Sequence, residues 1–396
     1  MSKHKQSPIQ RIIVFILLVL YKATFGVYIR LFYRLSTQSR KILPKKGPYL
    51  LLANHCNNFD GLFLQCLIPQ TISFVVTDAI FKNKALGKLM AMVGYIPKRK
   101  NVTDSSAIRQ IIRAVKQKRI VGIFPEGGRS WDGKTGPISP ATFRLAKMLG
   151  IPVVTACIKG SYLSEPRWAN TKRRGRVEID FQLVFADGVI KSLETAEETI
   201  TCALAHNEAD WQQQWHIPYK GKAPAEGLER LLFTCPTCES IGTLRSSDDR
   251  LTCLMCDAAY SIDAFGYLHA QSGTLPSECI DQVNAWQQGL LAQKFDHAAA
   301  AVLLSDERAC LYCASAQHAP FERVDEGTLT LTKTELSLGS HRFDIDKIRG
   351  VAVYFKTHLE FRYDGLDRRI GFHDQHISAY KWESALRTLK NDAKEN

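Results

Sequence analysis

Two short apolar runs of strand type each end in a compact polar motif, and this pairing constrains the fold most. Tyr49-Leu50-Leu51-Leu52-Ala53 leads into Asn54-His55-Cys56-Asn57-Asn58-Phe59-Asp60. Ile120-Val121-Gly122-Ile123 leads into Phe124-Pro125-Glu126-Gly127-Gly128-Arg129-Ser130. Short, uninterrupted apolar runs read as strands buried on both faces. Gly150-Ile151-Pro152-Val153-Val154 reads as another. Such strands belong to an α/β fold, where loops at the strand ends carry chemistry. The two motifs would then put a histidine with a nearby carboxylate, and a glycine-rich turn with an arginine, at the ends of adjacent strands.

His55 and Asp60 are five residues apart, a spacing that does not align both side chains on an ideal helix. The geometry expected is His55 at the strand end and Asp60 on the next helical turn, close enough to hydrogen-bond the imidazole. Asp60 would fix the tautomer and stabilise the imidazolium as His55 takes a proton. The plain alternative is a satisfied histidine beside a helix N-cap. No nucleophile elbow is visible, so direct attack by a substrate hydroxyl is favoured over a covalent intermediate. In the second motif Gly127 and Gly128 permit a tight turn and close backbone approach to a ligand. Glu126 would hydrogen-bond a polyol hydroxyl, and Arg129 would grip phosphate in a fork. Between the motifs, Gly94-Tyr95-Ile96-Pro97-Lys98-Arg99-Lys100 puts three cations after an apolar strand end, a second phosphate site or a solvated basic loop. Thr103 or Asp104 would cap a helix running to about Lys116.

These blocks resemble the glycerophospholipid acyltransferase family that includes the 1-acylglycerol-3-phosphate acyltransferases. Four blocks match in order over roughly residues 35–190. The family's His-x4-Asp motif falls on His55 and Asp60. Its glycine-to-arginine block, which contacts the acceptor phosphate, falls on Gly94 to Lys100, its arginine aligning with Arg99 or Lys100. Its Phe-Pro-Glu-Gly block falls on Phe124 to Gly127, followed by Arg129 and Ser130, and its apolar-Pro block on Ile151 to Val154. The resemblance implies transfer of a fatty acyl group from a coenzyme A or acyl carrier protein thioester to a lysophospholipid hydroxyl, giving phosphatidic acid, without a catalytic metal. Backbone amides near the motif would stabilise the oxyanion. Asn57 and Gly128 depart from the family's pattern, which has a small hydroxyl residue and a threonine-like residue there. Both bear on the acceptor. Another lysolipid or a glycolipid is therefore the alternative acceptor, and a non-catalytic membrane lipid-binding adaptor is the alternative of another class.

The chain of 396 residues is long enough for two or three domains, and 45% hydrophobic residues exclude a disordered protein. A net charge of +13 favours an anionic partner. No Asp or Glu precedes Asp60, while Lys3, Lys5, Arg11, Lys22, Arg30 and Arg34 surround or interrupt an apolar stretch from Ile12 to Tyr33. That placement points to an anionic phospholipid membrane rather than nucleic acid. Arg11, Lys22, Gly26, Arg30 and Arg34 fall within an arc of about 140° on a helix, which reads as an interfacial, re-entrant or short spanning helix on the cytoplasmic face. Pro166-Arg167-Trp168 with Lys172-Arg173-Arg174-Gly175-Arg176 is basic with one aromatic, fit for headgroups or for a solvated hairpin.

In the second half, Cys235-Pro236-Thr237-Cys238 and Cys253-Leu254-Met255-Cys256 are paired Cys-x2-Cys knuckles. They predict a four-cysteine structural zinc site in a ribbon, and with it a reducing compartment. Cys310 and Cys313 lack a second pair, and with His318 nearby read as two strand thiols. From Ala299 alternating strands repeat, and a helix from about Ser378 to Leu389 closes the chain, similar to a pleckstrin-homology or GRAM-like fold. The expected organisation is a membrane helix over 1–34, an α/β acyltransferase domain over 35–220, a zinc ribbon over 228–265, a helical linker over 266–298 and a mainly β, PH-like domain over 299–392.

Overall fold

The computed structural model describes residues 8–98, 104–298, 301–315 and 320–395, in two compact units. The first comprises residues up to Arg167 together with Arg173–Lys220. Its centre is a six-stranded sheet of β1 (Leu50–Ala53), β2 (Ile72–Thr77), β3 (Ile96–Lys98), β4 (Ile120–Ile123), β5 (Val153–Lys159) and β6 (Glu178–Phe185), in the order β3-β2-β4-β1-β5-β6. All pairs are parallel except β5 with β6. Strand alternation sends Leu51 and Ala53 to one face, with Phe63, Phe74, Val154 and Ile158. Leu50 and Leu52 go to the other, with Val121, Val153, Ile111 and Phe143. Burial on both faces is what a parallel sheet requires, and it explains why these strands read as uninterrupted apolar runs.

Helices α1 (Pro8–Ala23) and α2 (Phe25–Phe32) replace the single N-terminal helix expected, with the break at Thr24. Two cations of the stripe, Lys22 and Arg30, meet the chain itself. Lys22 Nζ donates to the Ile68 carbonyl at 3.0 Å and Arg30 Nη2 to that of Cys66 at 3.4 Å, at the C-terminal end of α3 (Asp60–Leu67). Cations suit a helix C-terminus, where carbonyls lack intrahelical partners. The opposite face leaves Ile9, Ile12, Phe15, Ile16, Leu20 and Leu31 exposed. Ile12–Phe32 is long and apolar enough to cross a membrane by length and composition.

Four further helices surround the sheet: α4 (Lys84–Val93), α5 (Ser105–Lys116), α6 (Pro140–Leu149) and the single turn α7 (Ser161–Ser164). Asp104, not Thr103, caps α5, its Oδ1 accepting from the amides of Ser106 and Ala107 at 3.0 and 3.2 Å. Helices α8 (Leu193–Leu204) and α9 (Glu208–Trp215) complete the unit. In the basic segment after Pro166, Arg167, Trp168 and Arg173 are buried, while Lys172 and Arg174 are exposed. An indole and two guanidinium stems supply more apolar contact area than their charges suggest.

The second unit comprises Trp168–Lys172 and Gly221–Asn396. A four-stranded antiparallel meander joins β7 (Leu244–Ser247), β8 (Arg250–Cys253), β9 (Ala259–Ile262) and β10 (Leu268–Ser272). The segment expected to be a helical linker therefore begins with a strand of this meander. Its helix α10 (Ile280–Asp296) is no spacer either, because Leu291 and Phe295 enter the core of the following sheet. That sheet has seven antiparallel strands: β11 (Leu304–Ala314), β12 (Phe321–Leu331), β13 (Glu335–Leu338), β14 (His341–Asp344), β15 (Arg349–Tyr354), β16 (His358–Tyr363) and β17 (Leu366–Phe372). Their order is β14-β13-β12-β11-β17-β16-β15. Helix α11 (Ala379–Glu395) closes it through Trp382, Ala385 and Leu386. The mainly β C-terminal region is thus present.

Candidate active site

His55 and Glu126 leave the C-terminal ends of β1 and β4, neighbouring parallel strands with Leu52 opposite Ile123. Equal numbers of residues beyond that register bring the two motifs together. Asn54 anchors the first loop, its Nδ2 donating to the Ile158 carbonyl at 2.9 Å and its Oδ1 accepting from the Ile158 amide at 2.6 Å. The ends of β1 and β5 are thus locked by a buried side-chain amide.

Asp60 is the first residue of α3 and is fully buried. Its Oδ2 lies 2.9 Å from His55 Nδ1 and accepts from the amides of Cys56 and Asn57, each at 2.8 Å. Its Oδ1 accepts from the Ser161 hydroxyl. Two backbone amides and the Ser161 hydroxyl donate to this carboxylate, which makes it the natural acceptor for an Nδ1–H of His55. A neutral ring with its hydrogen on Nδ1 carries its lone pair on Nε2. Nε2 makes no hydrogen bond among the described residues, and the side chain is 23% exposed, so the basic atom is reachable. The ring stacks on Phe124 with centroids 4.2 Å apart, and Phe124 stacks on Phe74. This sandwich restricts the imidazole to one plane.

Glu126 is committed to backbone. Its Oε1 accepts from the His55 amide at 2.7 Å and its Oε2 from the Gly136 amide at 2.9 Å. The Ser130 amide donates back to the His55 carbonyl at 2.8 Å. Glu126 thus fastens the second motif to the first instead of presenting its oxygens to a polyol. Burial pushes its carboxyl up to about 8, against the pull of the two amides. Gly127 has φ +75° with open space around it, a conformation that favours glycine, whereas Gly128 lies outside the positive-φ region.

Arg129 is partly buried, and its Nη1 has no hydrogen-bond partner among the described residues. Burial lowers its basicity, opposed by the charges of Glu165 and Asp60. Arg99 and Lys100 lie outside the described residues, as does His318. Cys56 is buried, and burial followed by the charges of Asp60 and Glu126 drives its thiol well up, which removes it as a nucleophile. The amides of His55, Cys56 and Asn57 are all consumed by Glu126 and Asp60. Those three amides are therefore not open to an oxyanion.

Several residues of the site carry no sequence signal. Ser161 reaches Asp60 from more than a hundred residues downstream. It sits after Gly160, whose φ is +73° and where a Cβ would overlap the Arg176 carbonyl and the Tyr219 hydroxyl. Glu208 holds that turn by accepting from the Gly160 amide at 2.9 Å and the Tyr162 amide at 3.3 Å.

The family profile described as Acyltransferase matches residues 34–159, which hold the whole His55 loop and the Glu126 turn. Over those residues the chain is similar to the acyltransferase family. Among curated relatives, a chloroplastic 1-acyl-sn-glycerol-3-phosphate acyltransferase from Brassica napus is 29% identical over 33% of this chain and 38% of its own length. The enzyme of that name from Bacillus subtilis is 25% identical over 31% of this chain and 61% of its own. The one from Saccharomyces cerevisiae is 27% identical over 31% and 43%. This chain therefore spans less than two thirds of each. A solved 1-acyl-sn-glycerophosphate acyltransferase from Thermotoga maritima is similar at TM-score 0.38 and 17% identity, covering 50% of this chain and 96% of that one, a likeness too loose to carry argument. The acyltransferase-family match ends well before the cysteine knuckles.

Those knuckles bring four sulfurs together. Cys235 Sγ and Cys256 Sγ are 3.8 Å apart, Cys238 Sγ and Cys253 Sγ 3.7 Å, and all four lie within 4.8 Å of one another. A tetrahedron with metal–sulfur bonds of ~2.3 Å has edges of ~3.8 Å, so the donor set fits a zinc ion.

Proposed function

We propose that this acyltransferase moves a fatty acyl group from an acyl-coenzyme A or acyl carrier protein thioester to the free hydroxyl of 1-acyl-sn-glycerol-3-phosphate, giving phosphatidic acid. The observation that carries this reading is the imidazole of His55, held through Nδ1 by a buried carboxylate with Nε2 left unengaged. Nε2 removes the hydroxyl proton of the acceptor, and Asp60 stabilises the imidazolium. The alkoxide attacks the thioester carbonyl, the tetrahedral intermediate collapses with cleavage of the carbon–sulfur bond, and Nε2 returns its proton to the thiolate. Glu126 and Ser161 are positioning residues, acting through the His55 loop and through Asp60. Arg129 binds the acceptor phosphate, which would supply the partner its buried Nη1 lacks. Arg99 or Lys100 adds a second cation to the same phosphate. The names of the relatives, 1-acyl-sn-glycerol-3-phosphate acyltransferases, support this acceptor.

The outward apolar face of α1 and α2 supports a membrane-associated enzyme, and we read the surface it meets as anionic and cytoplasmic. Cys235, Cys238, Cys253 and Cys256 would hold one zinc ion whose chemistry is structural, four thiolates leaving no position for substrate. The mainly β domain is read as PH/GRAM-like.

The test is thiol release from acyl-coenzyme A and acyl carrier protein donors over a panel of lysolipids, with wild type and His55→Ala. Activity confined to wild type and highest on 1-acyl-sn-glycerol-3-phosphate is expected. Equal behaviour of both proteins on every acceptor would sink the catalytic reading, and a preference for another lysolipid or a glycolipid would move the acceptor alone.

A further inference from the structure

The seven-stranded sheet carries a second set of metal-type donors. Cys310 on β11 lies opposite Glu326 on β12 and Gly371 on β17. Residues directly opposite on antiparallel strands project to the same face. His373 follows Gly371 by two residues, so the strand period returns it to that face, and its amide continues the ladder by donating to the Arg308 carbonyl at 3.4 Å. Ala309 and Leu311, flanking Cys310, point into the core. The three side chains therefore meet on the outer face.

His373 Nε2 lies 3.2 Å from Cys310 Sγ and 3.1 Å from Glu326 Oε1, and the three donor atoms all lie within 4.8 Å of one another. One ring nitrogen faces a thiol and a carboxylate at once, and its single hydrogen or lone pair serves only one of them well. A cation between them would satisfy all three. Arg323 holds Glu326 through Oε2, which leaves Oε1 to the cluster. Cys310 is buried, but His373 and Glu326 are 49% and 39% exposed, so an ion has access from solvent.

We propose that Cys310, Glu326 and His373 bind a zinc ion, separate from the four-cysteine cluster. A thiolate with an imidazole selects zinc over magnesium or calcium, which prefer all-oxygen sites. Tetrahedral bonds of ~2.0–2.3 Å would set these donors ~3.3–3.6 Å apart, a few tenths of an ångström beyond the two spacings at His373 Nε2 and within reach of side-chain rotation. Three protein ligands leave a fourth position to water, so this ion is exchangeable where the four-cysteine ion is closed.

The test uses the full chain, equilibrated with zinc at a concentration buffered by a competing chelator, with metal content read by mass spectrometry. His373→Ala and Cys310→Ser are each expected to hold one equivalent less than wild type. Cys253→Ser should lose a different equivalent, so that its combination with His373→Ala loses both. Glu326→Gln should weaken the site by more than about tenfold, since even an outer-sphere partner is worth that much. Replacing zinc by cobalt in a Cys253→Ser chain should give a thiolate charge-transfer component that is lost when His373→Ala is added. Identical zinc content and cobalt spectra for wild type and His373→Ala would overturn the proposal. His373 is half exposed, so that variant decides even if Cys310→Ser fails to fold.

Discussion

Around His55, hydrogen bonds hold the imidazole by one nitrogen and leave the other open, whereas the sulfurs of Cys235, Cys238, Cys253 and Cys256 converge on one another. The first site is assembled from three strand ends, β1, β4 and β5, and from buried polar partners that arrive from distant parts of the chain. The second is assembled from two tight turns and one strand end within about twenty residues. The difference separates chemistry from bracing. A reactive group needs a rigid surround and one unmet valence, and a large parallel sheet supplies the surround. The small meander buries a short row of side chains, among them Leu244, Leu251, Tyr260 and Leu268, and four ligands on one ion would add to that limited core.

The comparison breaks most visibly at the metal. Structural zinc contributes about 10–16 kcal/mol to small cysteine-rich folds, as much as or more than the whole stability of an ordinary domain. Chelation or Cys253→Ser is therefore expected to abolish hydrogen-exchange protection across β7 to β10, and retained protection there would show a meander that stands by its own core. At His55 the loss is kinetic. His55→Ala should lower kcat/KM by about 10²–10⁴-fold, with an unchanged melting temperature. A variant that loses fold and activity together would make the histidine a brace after all. The apolar face of α1 should come next. Each exposed isoleucine is worth about 1.5–3 kcal/mol on burial, so Ile12→Ser with Ile16→Ser should cut co-sedimentation with anionic vesicles by more than about tenfold. Unchanged sedimentation would point to another membrane contact.

Glu126 tests the surround itself. Its carboxyl rises from the ordinary 4.5 to about 8, so between those values the folded chain holds a proton that the unfolded chain has released. Its contribution to stability is then fully present below about 4.5 and is lost as pH rises through about 8. Glu126→Gln should flatten that part of the denaturant-midpoint profile. It should also cost about 1–3 kcal/mol, because an amide accepts through one oxygen and leaves one of the two backbone amides unpaired. A variant with the wild-type pH slope would assign the slope to another group. Ser161→Ala is the smallest change. It should lower kcat by about tenfold with KM unaltered, the worth of roughly 1.4 kcal/mol for one hydrogen bond to a buried carboxylate. A matching fall from Ser161→Thr would instead indicate disturbed packing.

Residues joined by short spacing were legible in advance. Asp60 could be paired with His55 because a strand end and the first turn of the next helix allow little freedom over five residues. The cysteine knuckles were legible for the same reason. Their sheet was only partly so, since β10 lies in a segment that reads as linker, and a short amphipathic strand gives little periodicity to detect. The cationic stripe of the N-terminal helices was visible as a stripe, but its direction was not. Helical periodicity shows that Lys22, Gly26 and Arg30 share a face and is silent on whether that face meets lipid or the carbonyls ending α3.

What the sequence determined by itself is therefore local: apolar runs that must be buried on both faces, a histidine with its carboxylate, and four sulfurs at turn spacing. Tertiary structure alone decided what surrounds that chemistry. Parallel pairing of β1 with β4 turned Glu126 towards the His55 backbone, and pairing of β1 with β5 brought Ser161 to Asp60. Sheet register likewise placed Cys310, Glu326 and His373 on one face across three strands. The physical reason is the range of the interactions. Dihedral preference and side-chain periodicity act over a few residues, whereas a hydrogen bond between residues a hundred apart exists only once the sheet has closed the loop between them.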